Sequence, residues 1–163
     1  MAARLCLTIS VLLLSNFAFA QKPDPLITFC AFEDGKELSI RYNPVSFAKE
    51  KLQFGKVWEP GGEPMLLFAP AEITLENAIL SAGAYSLYII PDKKRWTLVV
   101  NRGVGADHKY DQQKDVIRAP MDLGSLGEPA TELQLTLAHI GPKLCNLRVY
   151  FGKDGAWTDF KEK

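Results

Sequence analysis

Apolar and polar residues alternate along three short segments of the chain. Residues 38–42, 133–137 and 145–151 each carry an apolar side chain at every second position. Successive side chains of a β-strand point to opposite faces of a sheet, so this alternation buries one face of each segment and leaves the other in water. The pattern predicts half-buried antiparallel strands.

Two further segments, 85–90 and 96–100, are almost continuously apolar. Such runs are typical of central strands that are buried on both faces. Residues 91–94, Pro-Asp-Lys-Lys, have the composition of a turn, so the two runs are predicted to form a hairpin. We expect its apolar side chains to be among the least exposed in the protein: Leu87, Ile89, Trp96, Leu98 and Val100.

Helical periodicity is weak along the chain. Only residues 45–52, after Pro44, have a pattern compatible with one or two helical turns. Short strands separated by turn residues favour an all-β fold: an antiparallel β-sandwich, jelly-roll-like or closed as a flattened barrel, with about seven to nine strands. We expect residues 1–20 to be a signal peptide, 21–37 an extended lead-in and first strand, and 38–163 a single domain continuous with that strand.

The first twenty residues have the features of a cleaved export signal. Arg4 supplies a positive charge, residues 5–17 form an apolar run, and the run ends in Ala-Phe-Ala at 18–20. A signal peptidase recognises small residues at such positions, so Gln21 should begin the mature chain. The run is shorter than the roughly 20 residues of a membrane-spanning helix. We therefore expect an exported protein, periplasmic or extracellular, without stable membrane insertion after cleavage.

Charge and size limit the classes of partner. Without Arg4, the chain carries 18 basic and 19 acidic residues. This balance offers no electrostatic attraction for nucleic acid or for an anionic membrane surface. The roughly 140 residues that follow the signal are enough for one domain with its own core. The expected partner is an envelope or extracellular ligand.

Two cysteines, Cys30 and Cys145, remain in the mature chain. In an oxidising compartment an even number of cysteines favours a disulfide, which here would join the first and last thirds of the domain. Strand alternation places Cys30 on a face with Phe32 and Cys145 on a face with Leu147, so both side chains are expected to point inward. Two separate buried thiols fit that pattern equally well, and both alternatives stay open.

Several motifs occur in the order and spacing of a known family. They are Gly55-Lys56-Val57-Trp58 with Gly61, Ala82-Gly83-Ala84-Tyr85-Ser86-Leu87-Tyr88 with Ile90-Pro91, Trp96-Thr97-Leu98 with Asn101, Tyr110-Asp111, and Asp115-Val116-x-Arg118. In these motifs the chain resembles the exported bacterial family known as domain of unknown function 2911, over roughly residues 38–137. The resemblance implies a secreted, β-rich domain and brings no established activity with it.

The chain departs from the family pattern in three places, one of which is a shortened segment before Trp58 that leaves Asn43-Pro44 and a stretch ending at Lys51. The family's Trp-Arg-Thr-Gly-Ala-Asn segment begins here at Trp58, with Glu59 at the arginine position and Glu63 at the asparagine position. A Trp-Gly pair of the family corresponds to Val104-Gly105. A basic or aromatic site of the family at these positions would be lost or altered in this chain.

Motifs for metal, phosphate and serine chemistry are absent from the sequence. The two histidines, His108 and His139, lack the ligand spacing of a zinc site, and only Asp107 and Asp111 lie close to His108. Residues 124–127 lack the Gly-x-Ser-x-Gly spacing of a hydrolase elbow and are expected to form a turn. No complete glycine-rich phosphate loop is present. We expect neither a metal nor another cofactor.

Aromatic side chains and one pair of acids supply candidate binding residues. A flat ring can bury area against a sugar ring without a charged partner. Trp58 is the ring expected nearest a rim, because Glu59 and two glycines follow it, whereas core packing accounts for Trp96. Glu59 and Glu63 flank a Pro-Gly-Gly turn, and paired carboxylates are used in glycoside hydrolysis, although acids beside a turn are commonly only solvated. The other rings considered are Tyr88, Tyr110 and Trp157.

The connection formed by residues 102–114 is the preferred place for a site. It is long for a compact sandwich, and such connections are usually functional or disordered. It contains His108, Tyr110 and Asp111, which bring together an imidazole, a phenol and a carboxylate. We predict that the Tyr110 hydroxyl or the Asp111 carboxylate is hydrogen-bonded to Arg118 or to loop backbone. That contact would serve a binding site or merely fasten the loop.

The function that fits these observations is that of an exported, non-catalytic binding or interaction module. Its ligand would be a carbohydrate, a cell-envelope polymer or a protein. One alternative is a small hydrolase that uses loop carboxylates or His108, and another is a structural envelope protein without a small-molecule site. A binding module predicts a concave face with exposed aromatic rings, an enzyme predicts a pocket with buried acids, and a structural protein predicts a broad apolar patch.

Overall fold

The computed structural model describes residues 23–105 and 109–163. The expected signal peptide and the cleavage site before Gln21 lie outside the described residues, and so does His108 of the candidate loop. Export and a role for His108 therefore stay predictions.

Nine antiparallel strands form one continuous sheet in the described part of the chain. They are β1 (Leu26–Ala31), β2 (Glu37–Tyr42), β3 (Met65–Ala69), β4 (Ile73–Leu75), β5 (Ala78–Leu80), β6 (Gly83–Ile90), β7 (Trp96–Asn101), β8 (Asp115–Gly141) and β9 (Leu144–Glu162). Their order across the sheet is β1-β2-β3-β6-β7-β8-β9-β4-β5. Single 3₁₀ turns occur at Pro60–Gly62 and Gln112–Lys114. The all-β antiparallel prediction is confirmed, and no helix within the described ranges is long and apolar enough to span a bilayer.

The two longest strands turn the sheet into two layers. β8 pairs first with β7 and, from Asp122 onward, with β9. β9 folds back at Gly152, whose φ of 62° lies in the left-handed region that glycine tolerates. As a result, the Glu162 amide donates to the Lys143 carbonyl oxygen at 2.8 Å. The first layer contains β1, β2, β3, β6, β7 and the start of β8, and the second contains the rest of β8 with β9, β4 and β5.

Hydrogen bonds close the two layers along one side. The Leu133 amide of β8 donates to the Val45 carbonyl oxygen at 2.8 Å. The Leu137 amide donates to Thr28 Oγ1 of β1 at 3.0 Å. Because the far end of β8 thus returns to β1 and to the segment after β2, the sandwich is closed as a flattened barrel.

The hairpin of β6 and β7 lies at the centre of the first layer, as predicted. Tyr88 pairs with Val99, and residues 91–94 connect the two strands. The side chains expected to be least exposed are 0–1% exposed, which confirms the prediction: Leu87, Ile89, Trp96, Leu98 and Val100.

Two segments differ from their predicted local structure. Residues 45–52 make one hydrogen-bonded turn and no helix, and Ser46 instead forms a bridge with Glu132 of β8. Residues 124–127 do not form the turn that their composition predicts. They continue β8, where Gly124 pairs with Gly155 of β9.

A disulfide joins Cys30 of β1 to Cys145 of β9. The two Cα atoms are 6.1 Å apart across a sequence separation of 115 residues. Cys30 is 3% exposed and Cys145 is fully buried, so both side chains point inward. Of the two alternatives that the sequence leaves open, the structure contains the bridge.

Candidate functional site

Trp58 packs against the core, and little of its surface is exposed. Its side chain is 7% exposed, and its ring centroid lies 4.9 Å from that of Phe151 and 6.3 Å from that of Trp96. The indole N–H donates to the Glu50 carboxylate, so the polar atom of the ring has a partner inside the protein. This burial corrects the expectation that Trp58 offers an exposed surface.

Glu59 and Glu63 flank the 3₁₀ turn Pro60–Gly62. The Glu63 carboxylate accepts a hydrogen bond from the side-chain amide of Asn43 at 3.0 Å. Asn43 is 6% exposed and directly follows β2, so this bond fastens the turn to the first layer. The contact gives Glu63 a structural role, and Glu59, four residues earlier, is half-buried.

Tyr110 and Arg118 meet at the carboxylate of Asp115. The Tyr110 hydroxyl donates to Asp115 Oδ2 at 2.7 Å, and Arg118 Nε donates to the same oxygen at 2.8 Å. Arg118 Nη2 also donates to the Tyr110 hydroxyl at 2.6 Å, which is one of the predicted contacts. Burial, followed by the bond to Asp115, raises the pKa of Tyr110. The bond to Asp115 is the main cause that raises the pKa of Arg118.

Asn101 ties both ends of the connection after β7 to this cluster. Its amide nitrogen donates to Asp115 Oδ1 at 2.7 Å and to the Asp111 carbonyl oxygen at 2.8 Å, and its amide oxygen accepts from the Gly103 amide at 2.8 Å. The Asp111 carboxylate accepts from the Gln113 amide at 3.0 Å. These polar groups form hydrogen bonds with one another, which leaves few of them to bind a ligand. The geometry therefore fits a loop anchor better than a binding site.

Tyr88 lies beneath the same loop, with its ring centroid 4.9 Å from that of Tyr110. Its side chain is fully buried, and its hydroxyl has no hydrogen-bond partner among the described residues. Burial first, and the Glu59 carboxylate second, raise the pKa of Tyr88 to about 12. A phenol with that pKa stays neutral near pH 7 and is a poor proton donor or nucleophile.

The residues singled out from the sequence do not converge on one place. Trp58 and Glu59 border a shallow pocket of about 320 Å³. Glu63 borders a different pocket of about 380 Å³, beside Val104. Tyr110, Asp111 and Arg118 belong to the loop anchor around Asp115. Within residues 23–105 and 109–163, no group of three His, Cys, Asp or Glu side chains is placed to hold a metal ion.

A larger groove lies on the outer face of the second layer. It encloses about 800 Å³, is open to solvent, and lies between β4, β8 and β9. Trp157 of β9, which is 36% exposed, borders the groove. Its neighbours there include Tyr150, Arg148, Asp122 and Asp159. This groove has the exposed aromatic ring that a binding module predicts.

Two aromatic rings of the groove lie over a pair of glycines. Gly124 of β8 and Gly155 of β9 are partners in the strand ladder. A Cβ atom on Gly124 would lie 3.0 Å from two carbons of the Trp157 indole, and one on Gly155 would lie 3.3 Å from the Tyr150 ring. Both rings therefore rest close to the backbone of the sheet. We call this pair of rings, Trp157 and Tyr150, the aromatic platform.

A chain of polar side chains continues the groove beside the aromatic platform. Arg148 Nε donates to Asn146 Oδ1 at 2.7 Å, and Asn146 Nδ2 donates to Asp159 Oδ1 at 2.7 Å. Asn146 is only 6% exposed, so its two bonds hold the exposed Arg148 and Asp159 in fixed relative positions. Asp122 forms an ion pair with Arg95 at 3.2 Å.

Comparison with known proteins assigns the chain to a family. The family model described as protein of unknown function (DUF2911) matches residues 28–156, which is most of the chain. The chain belongs to the DUF2911 family. No curated protein and no solved structure matches it.

The DUF2911 match confirms the resemblance carried by the sequence motifs. It includes Gly124, Arg148 and Tyr150 of the groove, and it ends one residue before Trp157. In the sequence, Trp157 is one of several candidate rings, and Tyr150 and Arg148 are not among the candidates. The sequence pattern that points to Tyr150 and Arg148 is the alternation in residues 145–151. It places residues 146, 148 and 150 on the outer face of their strand.

Proposed function

We propose that this DUF2911 domain is an exported, non-catalytic binding module and that the groove around Trp157 takes its ligand. The observation that carries the proposal is the exposed indole of Trp157 in a groove of about 800 Å³. Tryptophan supplies a large rigid contact area and is enriched among the residues that dominate binding energy. Ligand sites commonly have volumes of about 300–1,000 Å³.

The disulfide supports a location outside the cytoplasm. Disulfides persist in oxidising compartments and are rare in the cytosol. The buried bridge between Cys30 and Cys145 agrees with the export signal expected in residues 1–20. In this proposal the ligand belongs to the cell envelope or to the medium. The intact mass of chain recovered outside the cytoplasm should correspond to a start at Gln21, and a chain that keeps residues 1–20 would contradict cleavage.

Two of the three carboxylates that border the groove have partners that suit binding. Asp122 is paired with Arg95, and Asp159 accepts a hydrogen bond from Asn146. A general acid or base has to exchange a proton with the substrate. A carboxylate held by an arginine or by a side-chain amide is instead a strong hydrogen-bond acceptor for a ligand. This arrangement supports binding over turnover.

Sedimentation with isolated envelopes tests the proposal. Wild-type protein should sediment with envelopes of the bacterium that carries the gene, and Trp157→Ala should weaken its binding at least about tenfold, or about 1.4 kcal/mol. Phe68→Ala is the matched control, because Phe68 is a similarly exposed aromatic side chain, 45%, on the first layer. Unfolding midpoints of both variants show whether each is folded.

Three results would count against the proposal. Equal retention of the wild type and Trp157→Ala would remove the groove as the binding site. A loss caused by Phe68→Ala but not by Trp157→Ala would move binding to the first layer. Release of soluble fragments from the envelopes by the wild type would contradict a non-catalytic role.

A further inference from the structure

We propose that the ligand of this groove is an uncharged polysaccharide, one sugar ring of which stacks on the aromatic platform. The inference rests on the proposed function, because it names the ligand class of the same groove. Three properties of the groove support it: the low position of the two rings, the polar side chains beside them, and the balance of charge.

The aromatic platform is low and does not project from the sheet. Strand side chains usually stand roughly perpendicular to their sheet. Trp157 and Tyr150 instead touch the backbone at Gly124 and Gly155, where a Cβ would lie 3.0–3.4 Å from ring carbons. A ring in that position covers glycine backbone on one side and presents its other side to the groove. A sugar ring has flat C–H faces of similar size, and it buries them on such a surface without needing a charge.

The polar side chains beside the platform match the hydroxyl groups at the edge of a sugar ring. Arg148 uses Nε for Asn146, and its two terminal nitrogens have no partner among the described residues. Asp159 uses one oxygen for Asn146, and its other oxygen has no partner in that part of the chain. A hydroxyl both accepts and donates, so it can accept from the guanidinium and donate to the carboxylate. Because Asn146 holds both groups in place, little further ordering is needed on binding.

The charges of the groove offset one another. A polyanion or a polycation entering the groove would meet repulsive as well as attractive groups, which disfavours it relative to an uncharged ligand. The groove is also open at the surface and not an enclosed cavity, which suits a polymer chain that crosses the sheet. Three carboxylates and two cations border it, and a third cation pairs with one of the carboxylates: Glu76, Asp122, Asp159, Arg148, Lys161 and Arg95.

Chemical treatment of the envelopes tests the ligand class. Periodate oxidises the vicinal diols of sugars, whereas protease removes polypeptides. We expect sedimentation of the wild type to survive protease treatment and to be lost after periodate oxidation. The affinity should change by less than about twofold between about 50 mM and about 500 mM NaCl, because an uncharged polymer releases no counterions on binding.

A glycine substitution tests the platform without removing either ring. In Gly124→Ala, the new Cβ lies 3.0 Å from two indole carbons and pushes the Trp157 ring away from the sheet. We expect the affinity for protease-treated envelopes to fall about fivefold, which corresponds to about 1 kcal/mol. Gly127→Ala is the matched control in the same strand, because a Cβ there has no atom within 4 Å, and its affinity should be unchanged.

The outcomes separate this inference from the proposed function. Binding that protease abolishes and periodate spares would overturn the polysaccharide ligand, while a remaining dependence on Trp157 would keep the groove as the binding site. A steep fall in affinity with salt would overturn an uncharged ligand. Equal affinities of Gly124→Ala and Gly127→Ala would overturn the stacking geometry. Loss of the dependence on Trp157 would overturn the proposed function itself.

Discussion

Reduction of the disulfide between Cys30 and Cys145 is expected to lower the free energy of unfolding by about 4.8 kcal/mol at 25 °C. The bridge closes a loop across a sequence separation of 115 residues. The entropy that such a loop removes from the unfolded chain grows with the logarithm of its length, and for this loop it amounts to about 16 cal/mol/K. Because both cysteines are buried and point inward, reduction leaves two thiols packed in the same core and adds little cost in the folded state.

Urea unfolding of the oxidised and the reduced chain measures this difference. Fluorescence of the buried Trp58 and Trp96 reports the transition. With a urea m-value of about 2 kcal/mol per M, the midpoint should fall by about 2.4 M after refolding in reductant. The double variant Cys30→Ala/Cys145→Ala is the control, and its midpoint should lie close to that of the reduced chain. A thiol assay on denatured, unreduced mature protein should detect no reactive cysteine.

A difference below about 1 kcal/mol would refute the entropic reasoning. It would mean that β1 and β9 remain together in the reduced unfolded chain, so that the bridge removes few conformations. Two reactive thiols per denatured chain would refute the bridge itself, and with it the support that the bridge gives to export.

Two further substitutions test the core and the loop. Leu98→Ala should lower the free energy of unfolding by about 2–5 kcal/mol, because Leu98 is fully buried in the central hairpin; a loss below about 0.5 kcal/mol in urea unfolding would make that hairpin peripheral. Tyr110→Phe should lower the free energy of unfolding by about 1–2 kcal/mol, because it removes the hydroxyl that donates to Asp115 and accepts from Arg118. Amide hydrogen exchange in the connection after β7 should become faster. Envelope binding should be unchanged in Tyr110→Phe, and a selective loss of binding would restore the loop as a site.

Alternation predicts the strands best where the inward positions carry no charge. Residues 145–151 are correctly assigned because every inward side chain there is apolar or Cys145. The second half of β9 escapes the same reasoning, since Glu162 occupies an inward position and is 5% exposed. Its carboxylate pairs with Lys36 at 2.9 Å, far away in the sequence. A buried carboxylate is tolerated only with such a partner, and this partner comes close only in the folded chain. The local sequence pattern therefore does not predict that Glu162 points inward.

The exposure of a tryptophan is likewise poorly predicted from its neighbours in sequence. Trp58 precedes Glu59 and two glycines, yet it is 7% exposed, because Glu50 accepts its N–H inside the protein. Trp157 follows Ala156, which is fully buried, yet it is itself 36% exposed, because the two side chains point to opposite faces of β9. The polar partner and the strand face decide whether the ring is buried, and neither can be assigned until strand pairing is known.

One of the glycines that suggest a turn in the sequence, Gly124, helps to make the groove possible, together with Gly155 of β9. Glycine inside a strand weakens it, and often marks a position where another group approaches the backbone closely. At Gly124 and Gly155 the approaching groups are the rings of Trp157 and Tyr150, and both rings lie on the face that is turned away from the core. Core packing therefore gives no reason for two facing glycines in this ladder. The close approach of the two rings gives one, because a Cβ atom on either glycine would lie only 3.0–3.4 Å from ring carbons of Trp157 or Tyr150.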